Sequence, residues 1–201
     1  MMNPSRDTRT EILDVSAEML RSRSFNSFSY QDISQQVGIR KASIHYHFPT
    51  KEDLGLALLE RFLEEVSGWA SGLVHESPVE KLDAYLLFTT KMIQDEKQIC
   101  AFGVLGTEFW TLPAAMQEAF RNFQARRDRW LTELIREGRE LGVFKRIGSP
   151  EDQATLIAAA VQGGLQIARS SGQSERLVAV VEQLRAGLVS ESVFDQTPVS
   201  R

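Results

Sequence analysis

Residues 29–48 read SYQDISQQVGIRKASIHYHF, and this stretch decides the fold. Ser29 with Asp32 three residues on has the form of a helix N-cap and its acidic partner, so a short helix starts near Tyr30. Gly38 can take the left-handed conformation that ends a helix and turns the chain sharply. Ile33 and Val37 precede it and Ile39 and Ile44 follow, as the buried side of two short helices packed across a turn requires. Ser34 is small where the two helices approach. The second helix is predicted from about Lys41 to Phe48, with Ile44 beneath it. Its other side carries Arg40, Lys41, Ser43, His45, Tyr46 and His47, donors suited to phosphate oxygens and base edges. The pattern is that of a helix-turn-helix whose second helix enters the major groove of DNA.

The segments on either side extend the pattern. Phe25 and Phe28 close a first helix that reads from Thr8, with Glu11 as its capping partner, to about Arg23. Ile12, Val15 and Met19 form its inner face, flanked by Leu13, Ala17 and Leu20. On the other side, IHYHFPTKEDL (residues 44–54) runs into a helix capped by Thr50 and Asp53. The joint pattern of Ile33, Gly38, Lys41, Tyr46, His47, Phe48, Lys51 and Leu54 resembles the N-terminal domain of the TetR/AcrR family of transcriptional regulators over residues 8–60 or so.

Bulk properties set bounds on the rest. With 201 residues, 42% hydrophobic and 25% charged, the chain has room for a small DNA-binding unit and a larger core. No apolar run approaches a membrane span, and the first thirty residues lack a signal-peptide core. One cysteine allows no internal disulfide and fits a reducing compartment, so a cytoplasmic protein is expected. The net charge of −4 is unhelpful for a DNA binder. Residues 1–61 hold eight Lys/Arg against eight Asp/Glu, and the remainder fifteen against nineteen. The DNA reading therefore rests on the arrangement of residues 40–51, not on total charge.

The rest of the chain reads as helices. Leu54, Leu58, Phe62, Val66, Trp69 and Leu73 give the fourth a continuous apolar stripe. Ser77-Pro78-Val79-Glu80 starts a fifth, to about Glu96, with proline at its first position. A short buried helix is predicted around Cys100. Pro113 opens a long one bearing Met116, Phe120, Phe123, Trp130 and Leu134 and ending at Gly142. Ser149-Pro150 opens an eighth, to Gly172. A ninth covers roughly 174–192, with Leu177, Val181, Leu184 and Leu188 on one side. No segment has strand periodicity. The expected fold is all-α, about nine helices: a three-helix DNA-binding domain over 1–50, and an effector-binding and dimerisation domain over 51–201, with the fourth helix, to about 66, as the link.

The resemblance implies roles for residues. Ser43, His45, Tyr46, His47 and Lys51 would contact the DNA backbone or base edges. Lys51 lies in a first helical turn, where backbone N–H groups also suit a phosphate. Arg40 stands where the family usually has Ser or Thr, and a guanidinium there can fork onto guanine N7 and O6. Ala42 replaces a frequent glycine and can touch a thymine methyl. His45 stands where tyrosine is common; either protonation strengthens its phosphate contacts or, like His47, it acts as a neutral hydrogen-bond donor. His45 and His47 do not form a metal pair, because i and i+2 on a helix point to different faces. No cofactor or metal is expected. Arg6 and Arg9 either reach DNA or belong to a solvated terminus. Ser24 replaces a frequent glycine and would strain the end of the first helix.

The resemblance further implies an effector pocket enclosed by helices four to eight, for an unidentified small molecule. Trp69, Tyr85, Phe88, Cys100, Phe102, Trp110, Phe123, Trp130 and Gln162 are its candidate lining, each with plain core as the alternative. Glu108 and His75 are the polar candidates for orienting a ligand. Cys100 is either an oxidant sensor or, amid Ile99, Ala101 and Phe102, a buried structural residue. The small-residue run Ala158–Gly164 suits close helix packing, and helices eight and nine are expected to pair in a homodimer. The implied function is a non-enzymatic repressor released from a palindromic DNA operator by its effector. The sign of that response is not set by the sequence, and an enzyme or a module without DNA binding are the alternatives. No nucleophile–base pair or phosphate-cradling loop supports the enzyme.

Overall fold

The computed structural model describes residues 7–92 and 100–191. Among these the protein is all-α: α1 (Thr8–Arg23), α2 (Tyr30–Val37), α3 (Lys41–His47), α4 (Lys51–Ser71), α5 (Pro78–Lys91), α6 (Ala101–Thr107), α7 (Ala114–Glu140), α8 (Pro150–Ser171) and α9 (Glu175–Leu188), with one 3₁₀ turn at Phe109–Thr111. The expected end of α5 near Glu96 and the arm residue Arg6 lie outside the described residues. The chain forms two compact units, one of residues 7–69 and 100–123, the other of 70–92 and 124–191.

Most helix starts follow the local chemistry. Ser29 and Asp32 form a capping box at α2, Ser77 and Glu80 another at α5, with Pro78 in the first turn. Thr50 and Asp53 exchange the same bonds at α4, where Asp53 Oδ2 accepts the Thr50 N–H at 2.9 Å and the Asp53 N–H reaches Thr50 Oγ1 at 3.1 Å. The start of α1 differs from expectation. Asp7 is its N-cap, accepting the Arg9 N–H, and Thr8 is already helical. Asp is as good a cap as Thr, and the helix takes the earlier one.

The core of the first unit is continuous from α1 through α4 to α6 and the start of α7. Ile12, Leu20, Ile33, Ile44, Leu54, Leu58 and Leu105 are each at most 1% exposed. Gly55 lets α4 approach closely, since an added Cβ would enter the Met116 side chain and the edge of Phe25. Phe102 and Phe123 stack with ring centroids 3.4 Å apart.

In the second unit α8 packs on α9. Gly164 is buried there, and a Cβ on it would come within 2.8 Å of Leu177 Cδ1. Gly163, its neighbour, faces open space. Arg185 on α9 grips Asp83 on α5 with both ends of the carboxylate. After α7 the chain turns at Gly142, and the Phe144 ring occupies the place where Gly138 has no side chain. Phe144 pairs with Val189 in an isolated antiparallel bridge. The Lys145 N–H donates to Leu188 at 2.8 Å and the Ser190 N–H to Val143 at 2.9 Å. This pairing ends α9 at Leu188, earlier than the predicted 192. No strand periodicity announces it because it involves a single residue on each side.

Candidate nucleic-acid interface

The turn between α2 and α3 is built by two residues. Gly38 adopts φ 79°, ψ 28°, left-handed, and its N–H returns to the Ser34 carbonyl at 3.0 Å. Ser34 Oγ then donates to the Ile39 carbonyl at 2.7 Å, closing the loop from the side chain. With the turn fixed, Ile44 and Phe48 go inward, 0% and 2% exposed. Arg40, Lys41, Ala42, His45 and Tyr46 are exposed, Tyr46 by 83%, while Ser43 and His47 are half-buried. Lys41 with His45, and Ala42 with Tyr46, are one turn apart, so the four make one outward face. The polar side that the sequence predicts is therefore a solvent-facing surface, with Arg40 as N-cap at its leading edge.

Tyr30, which sequence reasoning placed only as a helix start, supports this face from below. Its hydroxyl lies 2.9 Å from the Phe48 carbonyl and 2.5 Å from that of Thr50, holding the exit of α3 to the start of α4. Burial, then the charge of Asp53, pushes its phenol up to about 12. The only available signal was a hydroxyl-bearing aromatic directly after an N-cap. The Arg9 guanidinium lies over the Phe48 ring, 5.2 Å from its centroid, which places the side chain of α1 beside the end of α3.

Lys51 and Glu108 have other duties than expected. Lys51 Nζ donates to the carbonyls of Phe25 and Phe28, at 2.7 and 2.5 Å, and lies over both their rings. Its amine is turned onto the loop before α2, which it clamps. Burial pushes the ammonium below its ordinary value, offset in part by Glu108 and Asp32. The Glu108 carboxylate accepts the N–H groups of Phe25, at 2.8 Å, and Asn26, at 3.1 Å. Asn26 in turn donates to Thr111 Oγ1 at 2.7 Å.

The remaining pocket candidates separate. In the first unit Phe102 and Phe123 are stacked together, Trp69 is half-buried near the end of α4, and Cys100 is the half-buried N-cap of α6. Trp110 departs from expectation, for it is 84% exposed on the 3₁₀ turn and encloses nothing. In the second unit Tyr85 is buried against Trp130, with centroids 5.8 Å apart, and Phe88 and Gln162 are half-buried. The Gln162 Nε2 has no hydrogen-bond partner although it is shielded from solvent. His75 is exposed in the turn before α5.

A glycine-hinged pair of helices presenting an exposed, donor-rich second helix defines a DNA-binding regulator of the helix-turn-helix class. The sequence profile described as "Bacterial regulatory proteins, tetR family" matches residues 12–58. A TetR-family transcriptional regulator from Agrobacterium tumefaciens superposes with a TM-score of 0.87 at 30% identity, over 90% of this chain and 97% of that one. The transcriptional repressor DhaR of Mycobacterium sp. (strain GP1) is 24% identical over 164 residues, 78% of this chain and 80% of its own. The repressor KstR2 of Rhodococcus jostii (strain RHA1) is 33% identical over 79 residues, 37% of this chain and 39% of its own. The chain belongs to the TetR family of bacterial transcriptional regulators. No helix among the described residues is long and apolar enough to cross a membrane.

Proposed function

We propose that this regulator is a homodimeric repressor, active in the cytoplasm, that holds a palindromic operator until a small-molecule effector releases it. The observation that carries the reading is the outward face of α3, fixed by the left-handed Gly38 and the Ser34 side-chain bond. Arg40, Lys41, Ala42, Ser43, His45, Tyr46 and His47 are its DNA-contacting set. Lys51 serves it indirectly, by holding the carbonyls of Phe25 and Phe28. Residues 1–50 carry DNA binding, the fourth helix continues from them, and 51–201 carry effector binding and dimerisation. The names of DhaR and KstR2 as repressors favour that sign of response. The function is regulation by binding, without catalysis.

Dimerisation is assigned to α8 and α9. Leu156, Ile167 and Val178 on these helices are 55%, 47% and 41% exposed. A groove of about 540 Å³ runs among Ile147, Leu156, Ala160, Val180, Leu184 and Gly187. So apolar a face, with the small residues that permit close approach, suits a second copy of the same chain through a two-fold contact. Two recognition helices would then meet half-sites about 34–36 Å apart. Each unit carries its own candidates for effector contact: Phe102 and Phe123 with Trp69 and Cys100 in the first, and Tyr85 and Trp130 with Phe88 and Gln162 in the second. Their chemistry suits a mostly apolar molecule, with the Gln162 amide as a donor to it.

Selection of bound duplexes from a random library, at two salt concentrations, tests the reading. Enrichment of a palindrome supports it. Salt-sensitive retention without any pattern would leave only charge-driven binding and overturn it.

A further inference from the structure

His45 differs from its neighbours on the α3 face in one respect. Arg40 and Lys41 carry only hydrogen-bond donors, and the Tyr46 hydroxyl donates or accepts. His45 is exposed, yet its ring is held in place. Nδ1 lies 3.1 Å from the Pro49 carbonyl oxygen, and the ring meets that of Tyr30 edge-on, centroids 4.8 Å apart at 62°. Tyr30 is itself anchored through its hydroxyl to the Phe48 and Thr50 carbonyls.

A carbonyl oxygen only accepts, so the Pro49 bond requires the proton on Nδ1. A neutral imidazole has one N–H, and Nε2 on the far side of the ring is then a bare lone pair. Phosphate oxygens present lone pairs too and offer no proton to such a nitrogen. In the major groove the donors are the exocyclic amines, adenine N6 and cytosine N4. We infer that His45 is a specificity-determining residue whose Nε2 accepts a hydrogen bond from an adenine or cytosine amine in each half-site. The assignment rests on the operator-binding reading above and adds a sequence preference to it.

Two measurements on the full chain test it. The first is competition binding of wild type and His45→Phe to the selected operator and to duplexes with each half-site base pair replaced in turn. Phenylalanine keeps a ring against Tyr30 and removes both nitrogens, and its thermal midpoint verifies the fold. At one position the wild type should favour one base pair over the others by about tenfold. His45→Phe should erase that preference and leave the other positions unchanged. A uniform loss across all duplexes, or no change at all, would overturn the assignment while leaving operator binding intact. A wild type without any base preference would overturn the operator reading and this one together. The second is ¹⁵N NMR of the imidazoles in the DNA complex. A protonated Nδ1 with a bare Nε2 is expected for His45; a proton on Nε2, alone or with one on Nδ1, overturns the inference.

Discussion

Lys51 and Glu108 hold the same loop by opposite poles. The ammonium takes the carbonyls of Phe25 and Phe28, and the carboxylate takes the N–H groups of Phe25 and Asn26. Phe25 therefore has both backbone groups bonded to charged side chains from α4 and from the end of α6. Charge-assisted bonds of this kind are about twice as strong as neutral ones. The loop they fix leads directly into the cap of α2, and so into the DNA-facing pair. Glu108→Ala is expected to destabilise the protein by about 1–3 kcal/mol in urea unfolding, because two backbone donors lose their partner. It should also weaken operator binding by more than the lost folded fraction explains. Unfolding and DNA titration run in parallel on the same variant separate the two effects.

Tyr30 gives the fold an alkaline limit. Its phenol titrates near 10.0 when unfolded and is raised to about 12 in the folded state. The folded protein thus keeps the proton longer, and the stabilisation is fully present below about pH 10. It is lost as the pH rises through the folded value, between roughly 10 and 12. Lys51 has the opposite sign. Its lowered folded value makes its own contribution more favourable as the pH rises from that value to the ordinary 10.5. Comparing wild type with Tyr30→Phe between pH 9 and 12 isolates the tyrosine. The variant should lose the decline attributed here, and an unchanged slope would assign that decline to other groups.

Ser24 ends α1 at φ 107°, ψ 160°, in a region that L residues rarely enter. Its N–H still closes on the Leu20 carbonyl at 3.2 Å, so the helix end is kept at the expense of backbone strain. Ser24→Gly should raise stability by about 1 kcal/mol, seen as a higher thermal midpoint. A lower midpoint would mean that the surroundings relieve the strain.

Arg40 and Lys41 should respond differently to truncation. Arg40→Ala is expected to cost about 1–3 kcal/mol on the selected operator and to relax one guanine position. Lys41→Ala should weaken all duplexes alike and reduce the salt slope by about one. Uniform loss for Arg40→Ala would place the guanidinium on phosphate instead.

Leu156→Glu puts a charge on the apolar groove of α8 and α9, where it is solvated in a monomer but buried in the proposed dimer. Sedimentation at micromolar concentration should show the variant as a folded monomer and the wild type as a dimer. A variant that sediments as the wild type does would move the interface elsewhere.

How much of this was legible depended on range. Gly38, the boxes at Ser29, Thr50 and Ser77, and the Pro78 and Pro150 starts are decided within four residues, and the sequence displays them directly. The inward turn of Ile44 and the outward turn of Tyr46 follow from helical period alone. What escaped was set by partners distant in the chain. Glu108 is 83 residues from Phe25, and no pattern around it tells a loop clamp from a ligand contact. The Phe144–Val189 bridge shortens α9 for the same reason. Trp110 shows a further limit, for an aromatic residue in an apolar stretch reads as interior whether or not anything covers it.

The capping boxes also settle the charge balance of the DNA-binding end. Eight acidic residues match eight basic ones over residues 1–61, which by number alone offers a polyanion nothing. The positions do not cancel in the same way. Asp7 accepts the Arg9 N–H in the first turn of α1, and Asp32 and Asp53 accept the N–H groups of the cap residues Ser29 and Thr50, at helix ends that favour negative charge. The Ser29 hydroxyl, and then the Ser29 N–H, hold the Asp32 carboxyl below its ordinary range. Arg40, Lys41 and Tyr46 remain directed at solvent. With three of its eight anions held at helix starts, a stretch that is neutral on paper acquires a local polarity, cationic where α3 emerges. Recognition is then governed by short-range fit more than by long-range attraction, and such a protein would dwell little on DNA that lacks its site.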